Sequence, residues 1–453
     1  MRFVSIRNRI FAAKIIVKMK RYFLISLVLA FGFASVLTGC KKPETDPFAE
    51  FESKLSELPN VVSFTKEESA DFTAKYKIFF EQPIDHDNAS AGTYNQLVYV
   101  CLNHPDSINV LVTEGYYAFD AQRVAELVTM FHSNQIVVEH RYYGESKIDD
   151  DTYRYMNADN SCDDLHEVVT SLKQLLSGKW ISTGVSKSGL TCNMYRAWYP
   201  DDVDVTVPYS SPFCVGRYDD RVDHALAETI GTPEDRAKVN AFLRELLQRR
   251  DVMAPKFDSL AASQNIEFHL PTQKLWDLHV MDYQFAFWSY SHDINDIPAL
   301  DASDDEIFNY VMSIDGPEAW DWNYDPVKYY IQAYMELGHP YYCTTGLEDL
   351  LIIDDYILDD YLRYTFVPES VADHFSTAMH EKVDAFLKTT DAKYIFLYGG
   401  YDPWCYVGVG DEYANGDNIL RYVLPGGGHG TKIANFDAAT QQEIKDKLNG
   451  WLR

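Results

Sequence analysis

Three short segments of the 453-residue chain hold residue types that can carry acyl transfer. Ser186 stands in Trp180-Ile-Ser-Thr-Gly184-Val-Ser186-Lys-Ser188-Gly189, between strand-like residues and the helix-like run 190–198. A serine flanked by small residues at plus and minus two suits a strained turn that lifts a nucleophilic hydroxyl, where larger side chains would strike the neighbouring strands. Ser188 occupies the place of the more usual second glycine, with Gly189 behind it. Downstream, Tyr394-Ile-Phe-Leu-Tyr-Gly-Gly-Tyr-Asp402 sets an acid just past a strand-like run, and Pro425-Gly-Gly-Gly-His429-Gly follows. A nucleophilic serine needs a histidine base and a carboxylate that orients it, in the order Ser, Asp, His found here. Singly, Asp402 before Pro403 reads equally as a turn residue and His429 as part of a flexible glycine loop. Their order and placement together select them. His140 is a rival base, but it precedes Ser186.

Such a serine also needs two backbone N–H groups aimed at the oxygen that becomes negative. Lys187, the residue after the nucleophile, is expected to supply one. The other is expected from the loop Glu114-Gly115-Tyr116, at Tyr116, where the glycine admits close approach of the backbone.

The elements that must position these groups are legible as well. Residues 75–82 and 94–103, rich in aromatic and β-branched residues, flank the turn-prone Asp85-His86-Asp87-Asn88-Ala89-Ser90-Ala91-Gly92 and predict a hairpin. Runs 108–113, 135–139 and 180–183 predict buried strands. Between the last two, Leu165, Val168, Val169, Leu172, Leu175 and Leu176 recur at helical spacing, predicting a helix over 161–176 opened by a Ser161–Asp164 capping box. Strand and helix in alternation predict a parallel sheet. Residues 216–385 change character, with helical stretches at 235–249, 273–291, 304–314 and 325–337. A strand at 394–398 and a helix at 437–452 follow. The expectation is an α/β-hydrolase fold, residues 61–215 and 386–453, with a large helical lid at 216–385 between the nucleophile and the Asp/His pair.

With 46% hydrophobic and 14% aromatic residues the chain can bury a large core, which excludes a disordered or coiled-coil protein. A net charge of -28 argues against nucleic acid as a partner. The first 39 residues carry seven basic residues and no acid, and Phe23 to Leu37 is almost wholly apolar, as in a secretory signal. Leu37-Thr38-Gly39-Cys40 resembles a lipobox, in which Cys40 is lipidated, so a lipid-anchored protein of the cell envelope is expected, periplasmic or surface-exposed. Removing residues 1–39 leaves -35 over 414 residues. Residues 41–60 read as a tether. Besides Cys40 six cysteines remain, with no zinc-ligand spacing, and no disulfide pairing is assigned.

Glu139-His-Arg-Tyr-Tyr-Gly-Glu-Ser146 resembles a segment shared by the bacterial serine prolyl and tripeptidyl aminopeptidases of the PS-10 type and their lysosomal carboxypeptidase and dipeptidyl peptidase relatives. Phe80-Glu-Gln-Pro-Ile-Asp-His86, Thr113-Glu-Gly-Tyr116, Gly184-Val-Ser-Lys-Ser188 and Tyr199-Pro-Asp-Asp-Val203 fit the same pattern in the same order. The resemblance implies a triad of Ser186, Asp402 and His429 and release of short peptides, tri- or dipeptides, from N-termini, with a proline preference in some members. An aminopeptidase must bind its substrate's ammonium through a carboxylate. Glu114 and Glu336 are the candidates, and Phe287 and Trp288 in the run Tyr283 to Trp288 are candidates for an apolar subsite. At helical spacing those aromatics read equally as core. The acidic tracts 301–306 and 354–360 lack calcium-loop spacing, and no metal or organic cofactor is implied. Two other readings compete: an esterase or lipase of the same fold, and an inactive lipoprotein that only binds its ligand.

Overall fold

A computed structural model describes residues 46–453; the expected signal segment and Cys40 lie outside the described residues. Among the described residues eleven strands occur in chain order: β1 Val61–Glu67, β2 Ala74–Pro83, β3 Thr93–Leu102, β4 Asn109–Thr113, β5 Asn134–Val138, β6 Trp180–Val185, β7 Val205–Tyr209, β8 Tyr218–Asp219, β9 His339–Pro340, β10 Lys393–Gly399 and β11 Ile419–Leu424. Nine form one sheet in the order β1-β2-β3-β5-β4-β6-β7-β10-β11, and β8 pairs with β9 in a small second sheet. The first three are antiparallel and β3 meets β5 antiparallel; from β5 to β11 every pairing is parallel.

Residue type explains the division. In β2 buried and less buried positions alternate, as in a strand with one covered face, whereas β4, β5 and β7 are buried at every position. Helices cover both faces of these apolar parallel strands. The expected hairpin spans β2 and β3, and the expected α/β sheet is present, with its nucleophile segment on the central strand β6.

Three expectations are corrected. The helix over 161–176 is Ala158–Leu172: Asn157 caps it by accepting from the Asn160 amide, while Ser161 Oγ donates to the Asn157 carbonyl at 2.7 Å, so the Ser161–Asp164 box does not form. The stretch read as a tether contains a helix, Pro47–Leu55, because Phe51 and Leu55 share one face and bury it against the core. The helix expected over 325–337 is three pieces: a 3-10 turn at Asp325–Val327, an α-helix at Lys328–Gln332 and a π turn at Ala333–Leu337. Gly338 ends it at φ +74°, its amide reaching the Ala333 carbonyl at 2.9 Å.

Between β7 and β10 the chain forms helices at Pro233–Gln248, Arg250–Ser263, Thr272–Ser289, Asp304–Ile314 and Ala378–Thr389. The first starts at Pro233 behind a complete Thr232–Asp235 capping box, which satisfies amides that have no helical partner. Trp276, Tyr283 and Phe287 of this region share one core with Tyr143 and Leu190 of the sheet region, and Pro47–Arg453 is a single compact unit. The two expected domains therefore have no separate cores.

Candidate active site

Strand β6 delivers Ser186 to the tip of a sharp turn, and the helix Lys187–Trp198 leaves it. Ser186 has φ +61° and ψ −127°, a conformation that costs a non-glycine residue of order 1–3 kcal/mol and persists only when its surroundings enforce it. Those surroundings are visible. The Ser186 amide donates to the Tyr209 carbonyl of β7 at 2.9 Å, and its carbonyl accepts from Leu190 at 3.0 Å. A Cβ on Gly184 would sit 2.3 Å from the Ser188 carbonyl oxygen, and one on Gly189 would sit 2.8 Å from that of Tyr209. The small residues are demanded by backbone packing, and Ser188 is tolerated because its side chain points elsewhere.

Asp402 is fully buried past the end of β10, and its Oδ2 lies 2.8 Å from His429 Nδ1. Its other oxygen accepts from the Trp404 amide at 3.2 Å. A carboxylate at Nδ1 keeps the proton there and leaves Nε2 as the basic nitrogen. The backbone of His429 is held from both sides: its amide donates to the Ser289 carbonyl at 2.6 Å, and its carbonyl accepts from Ser210 Oγ at 3.0 Å. Gly427 and Gly428 before it are packed, not slack. A Cβ on Gly428 would meet the Ser289 carbonyl oxygen at 2.5 Å. The indole of Trp404 lies 6.1 Å from the imidazole, and Phe285 packs edge-on against Trp404 at 5.2 Å. The rival His140 is buried, which holds its pKa well below the ordinary value, and its Nδ1 faces the Arg141 carbonyl at 3.0 Å. Asp402 is bonded to His429 instead.

At the end of β4 the amides of the 114–116 loop are allotted one by one. Glu114 donates to the Val138 carbonyl at 3.2 Å and Gly115 to Ser188 Oγ at 3.0 Å. That of Tyr116 has no bond to a described residue, while the Tyr116 carbonyl accepts from His140 at 3.0 Å. Lys187 N–H lies in the first turn of its helix, where amides have no helical partner. The Lys187 side chain runs inward, with 1% of its surface exposed, and Nζ donates to the Gly115 carbonyl at 2.5 Å. It lies over the rings of Tyr116 and Tyr143, 5.3 and 4.8 Å from their centroids. Burial brings its pKa down to about 7, against the opposing pull of Glu336.

The expected substrate contacts fare differently. Glu336 is buried in the π turn, takes a hydrogen bond from Gln332 Nε2 at 3.0 Å, and interacts with the Ala158 amide and Lys187; burial raises its pKa to about 7. Glu114 accepts from Ser188 Oγ at 3.2 Å. Phe287 and Trp288 are buried, Trp288 edge-on against Tyr401, so they build the core and the subsite assigned to them is corrected to packing. Trp404, not singled out from the sequence, lies beside His429, with Phe285 of the aromatic run packed on it, and Asp282 and Asp315, also not singled out, share with Asp402 electrostatic range of Tyr290. Asp282 accepts from Tyr342 Oη at 3.2 Å, and His279 Nδ1 is 3.5 Å from Asp315. Burial raises both aspartates, Asp315 the more, because Asp282 is its like-charged neighbour. Phe285 was visible within the aromatic run; nothing in the sequence distinguished these aspartates from many others.

The segment Glu139–Ser146 anchors the loops around the site. Arg141 is fully buried and forks onto Asp164 through Nε and Nη2, both at 2.7 Å, with His86 and Tyr94 completing the carboxylate's partners at 2.8 and 2.7 Å. Glu139 takes the amides of Ala118, Glu145 and Ser146 at 2.8, 2.7 and 2.8 Å. Among the described residues, no group of three or more His, Cys, Asp or Glu is placed to hold a metal ion, and no helix is long and apolar enough to cross a membrane.

Comparison with known proteins adds a family. The model of the family described as PS-10 peptidase S37 matches residues 49–451. The prolyl tri/tetrapeptidyl aminopeptidase of Streptomyces mobaraensis is 25% identical over 425 residues, covering 90% of this chain and 86% of that protein. Among solved structures, a proline iminopeptidase of Mycobacterium smegmatis is 12% identical with a TM-score of 0.39, covering 83% of this chain and 97% of that one. A proline iminopeptidase-related protein of Thermus thermophilus is 11% identical with a TM-score of 0.37, covering 83% and 98%.

Proposed function

The chain belongs to the PS-10 peptidase S37 family, and from that premise we propose that it is a serine aminopeptidase releasing tri- or dipeptides from peptide N-termini, with proline among the residues it accepts before the cut. The observation that carries this reading is the buried Asp402–His429 pair, 2.8 Å apart, in a fold that also holds Ser186 at a strained strand-to-helix tip. Ser186 Oγ attacks the scissile carbonyl carbon as its proton passes to His429 Nε2, and Asp402 stabilises the imidazolium. The carbonyl electron pair moves onto oxygen, facing the N–H groups of Lys187 and Tyr116. Collapse of the adduct breaks the C–N bond, His429 protonates the leaving amine, and water repeats the sequence on the acyl-enzyme.

Exopeptidase action needs a carboxylate at a set distance from the serine. Glu336 is bonded to Gln332 and Glu114 to Ser188, whereas Asp282 and Asp315 share with Asp402 electrostatic range of Tyr290, so the role passes in this reading to Asp282 with Asp315. Asp282 precedes Ser289 by two helical turns, about 10 Å along the axis on the same face, and Ser289 holds His429. Three extended residues cover about the same length at roughly 3.3 Å each. The test is a panel of tripeptide anilides with free and acetylated N-termini. Cleavage of the free series alone, lost in Ser186→Ala, is expected; equal cleavage of both series excludes an aminopeptidase. Hydrolysis of simple esters in preference to amides would favour the esterase reading.

The Leu37-Thr38-Gly39-Cys40 segment supports a lipid anchor at Cys40 and a place in the cell envelope. Metabolic labelling with a fatty acid, abolished by Cys40→Ala, tests it. Unlabelled wild-type protein retaining residues 1–39 refutes it.

A further inference from the structure

We infer that the side chains of Lys187 and Ser188 are positioning residues for the oxyanion site: together they clamp the Gly115–Tyr116 peptide so that Tyr116 N–H faces the carbonyl attacked by Ser186. The inference rests on the serine-peptidase reading above.

A trans peptide is planar, and its C=O and N–H point in opposite directions. Whatever fixes the Gly115 carbonyl therefore aims the Tyr116 amide. Lys187 Nζ holds that carbonyl at 2.5 Å. The preceding amide, Gly115 N–H, is held at 3.0 Å by Ser188 Oγ, which donates its own proton to Glu114 Oε2 at 3.2 Å. Thr113 Oγ1 donates to the Ser188 carbonyl at 3.1 Å, tying the same loop to the same helical turn. All of these bonds are buried, and they join the loop after β4 to the two residues that follow the nucleophile. Lys187 thus acts twice, offering one donor from its backbone and aiming the other with its side chain.

A buried lysine is an expensive way to hold one carbonyl. Its stem fits only because residue 115 has no side chain: a Cβ there would lie 2.7 Å from Lys187 Cγ. Around its nitrogen stand the faces of Tyr116 and Tyr143, the carboxyl of Glu336, and His140 at electrostatic range. The substitution of serine for the more usual glycine at position 188 also acquires a purpose, since a glycine there would leave the Gly115 amide and Glu114 without their hydroxyl.

The test compares wild type with Ser188→Ala, Ser188→Gly and Lys187→Met in two measurements. One is the split between kcat and KM on a free tripeptide anilide. The other is affinity for a tripeptidyl boronic acid with a free N-terminus, whose boron bonds Ser186 Oγ, with the serine proton passing to His429, and sets an oxygen where the oxyanion forms. Misaiming one donor lowers kcat by about 10- to 100-fold with KM little changed, and boronate affinity falls in the same proportion as kcat/KM. Ser188→Gly, although it restores the more usual motif, loses activity like Ser188→Ala. Removal of one hydroxyl keeps the fold, so Ser188→Ala decides the matter even where Lys187→Met does not fold. Unchanged kcat in the Ser188 variants, or a rise in KM with boronate and substrate affinity falling alike, overturns the inference. Boronate binding and hydrolysis that persist in Ser186→Ala overturn the peptidase reading itself, and with it this inference.

Discussion

Glu336→Gln should make stability less dependent on pH, with a size and window set by the burial of the carboxyl. In the folded chain burial raises Glu336 to about 7 from an ordinary 4.5, with Lys187 opposing the shift. A carboxyl raised on folding contributes stability that is fully present below its unfolded pKa and lost as pH rises through the folded one, so the wild type loses it between pH 4.5 and 7. The shift corresponds to about 3 kcal/mol at roughly 1.4 kcal/mol per unit. Glutamine has nearly the shape of the protonated acid and retains an acceptor for Gln332 and the Ala158 amide. The variant should therefore match wild type near pH 4.5 and exceed it by up to about 3 kcal/mol near pH 7.5. Urea unfolding midpoints of both proteins at half-unit pH steps measure the difference. Asp223, which burial also raises to about 7, titrates in the same range in both proteins and cancels. Lys187, lowered to about 7, destabilises fully below that pH and is relieved towards 10.5; Glu336 opposes that lowering, so Lys187 titrates lower in the variant and does not cancel as Asp223 does, and the comparison is read below pH 8. A stability difference that stays constant from pH 4.5 to 7.5 would refute the account of Glu336 as an acid whose burial outweighs its partners.

Asp402→Asn removes the charge that holds His429 in its tautomer and should cut kcat by about 10⁴ with the circular dichroism spectrum unchanged. A loss under tenfold would argue against the role of the pair. Gly115→Ala drives a Cβ to 2.7 Å from Lys187 Cγ. It should cost about 1–3 kcal/mol of stability and lower kcat, and kinetics matching wild type would show that the loop yields freely. Asp282→Asn should raise KM about tenfold or more for free-amino substrates and leave acetylated peptides as they were, the loss of a charge-assisted contact to ammonium. The six described cysteines are buried free thiols, and burial pushes Cys101 up to about 12 and Cys405 to about 11. Dithiothreitol should not move the thermal midpoint, and a shift of several degrees would reveal a disulfide.

Chain order singled out Ser186, Asp402 and His429 because each follows closely on a strand, and strand ends announce themselves through apolar runs followed by glycine or proline; of the three, the structure joins Asp402 to His429. The same runs located the central strands nearly to the residue. What periodicity could not convey was the fate of single polar groups. Asn157 outcompeted Ser161 as the cap because it lies one turn earlier with its own chain extended, a choice made by backbone direction. Phe287 and Trp288 face the core while Phe285, two and three positions away, faces Trp404, a difference of rotation within one helix. Glu336 and Asp282 are equally acidic on paper. One is sealed into a π turn and the other lies on the helical face that meets the histidine loop, and only long-range packing separates them.

The segment Glu139–Ser146 carries the family resemblance, yet its groups bind structural partners: Glu139 three amides, Arg141 the buried Asp164, Gly144 N–H Asp325 of the region between β7 and β10 at 3.1 Å. The Tyr142 carbonyl takes Lys328 Nζ at 2.9 Å, again across to that region. Selection on this octapeptide is then selection on architecture, separable from selection on hydrolysis. A descendant that lost its nucleophile would keep the octapeptide intact for as long as it kept its shape.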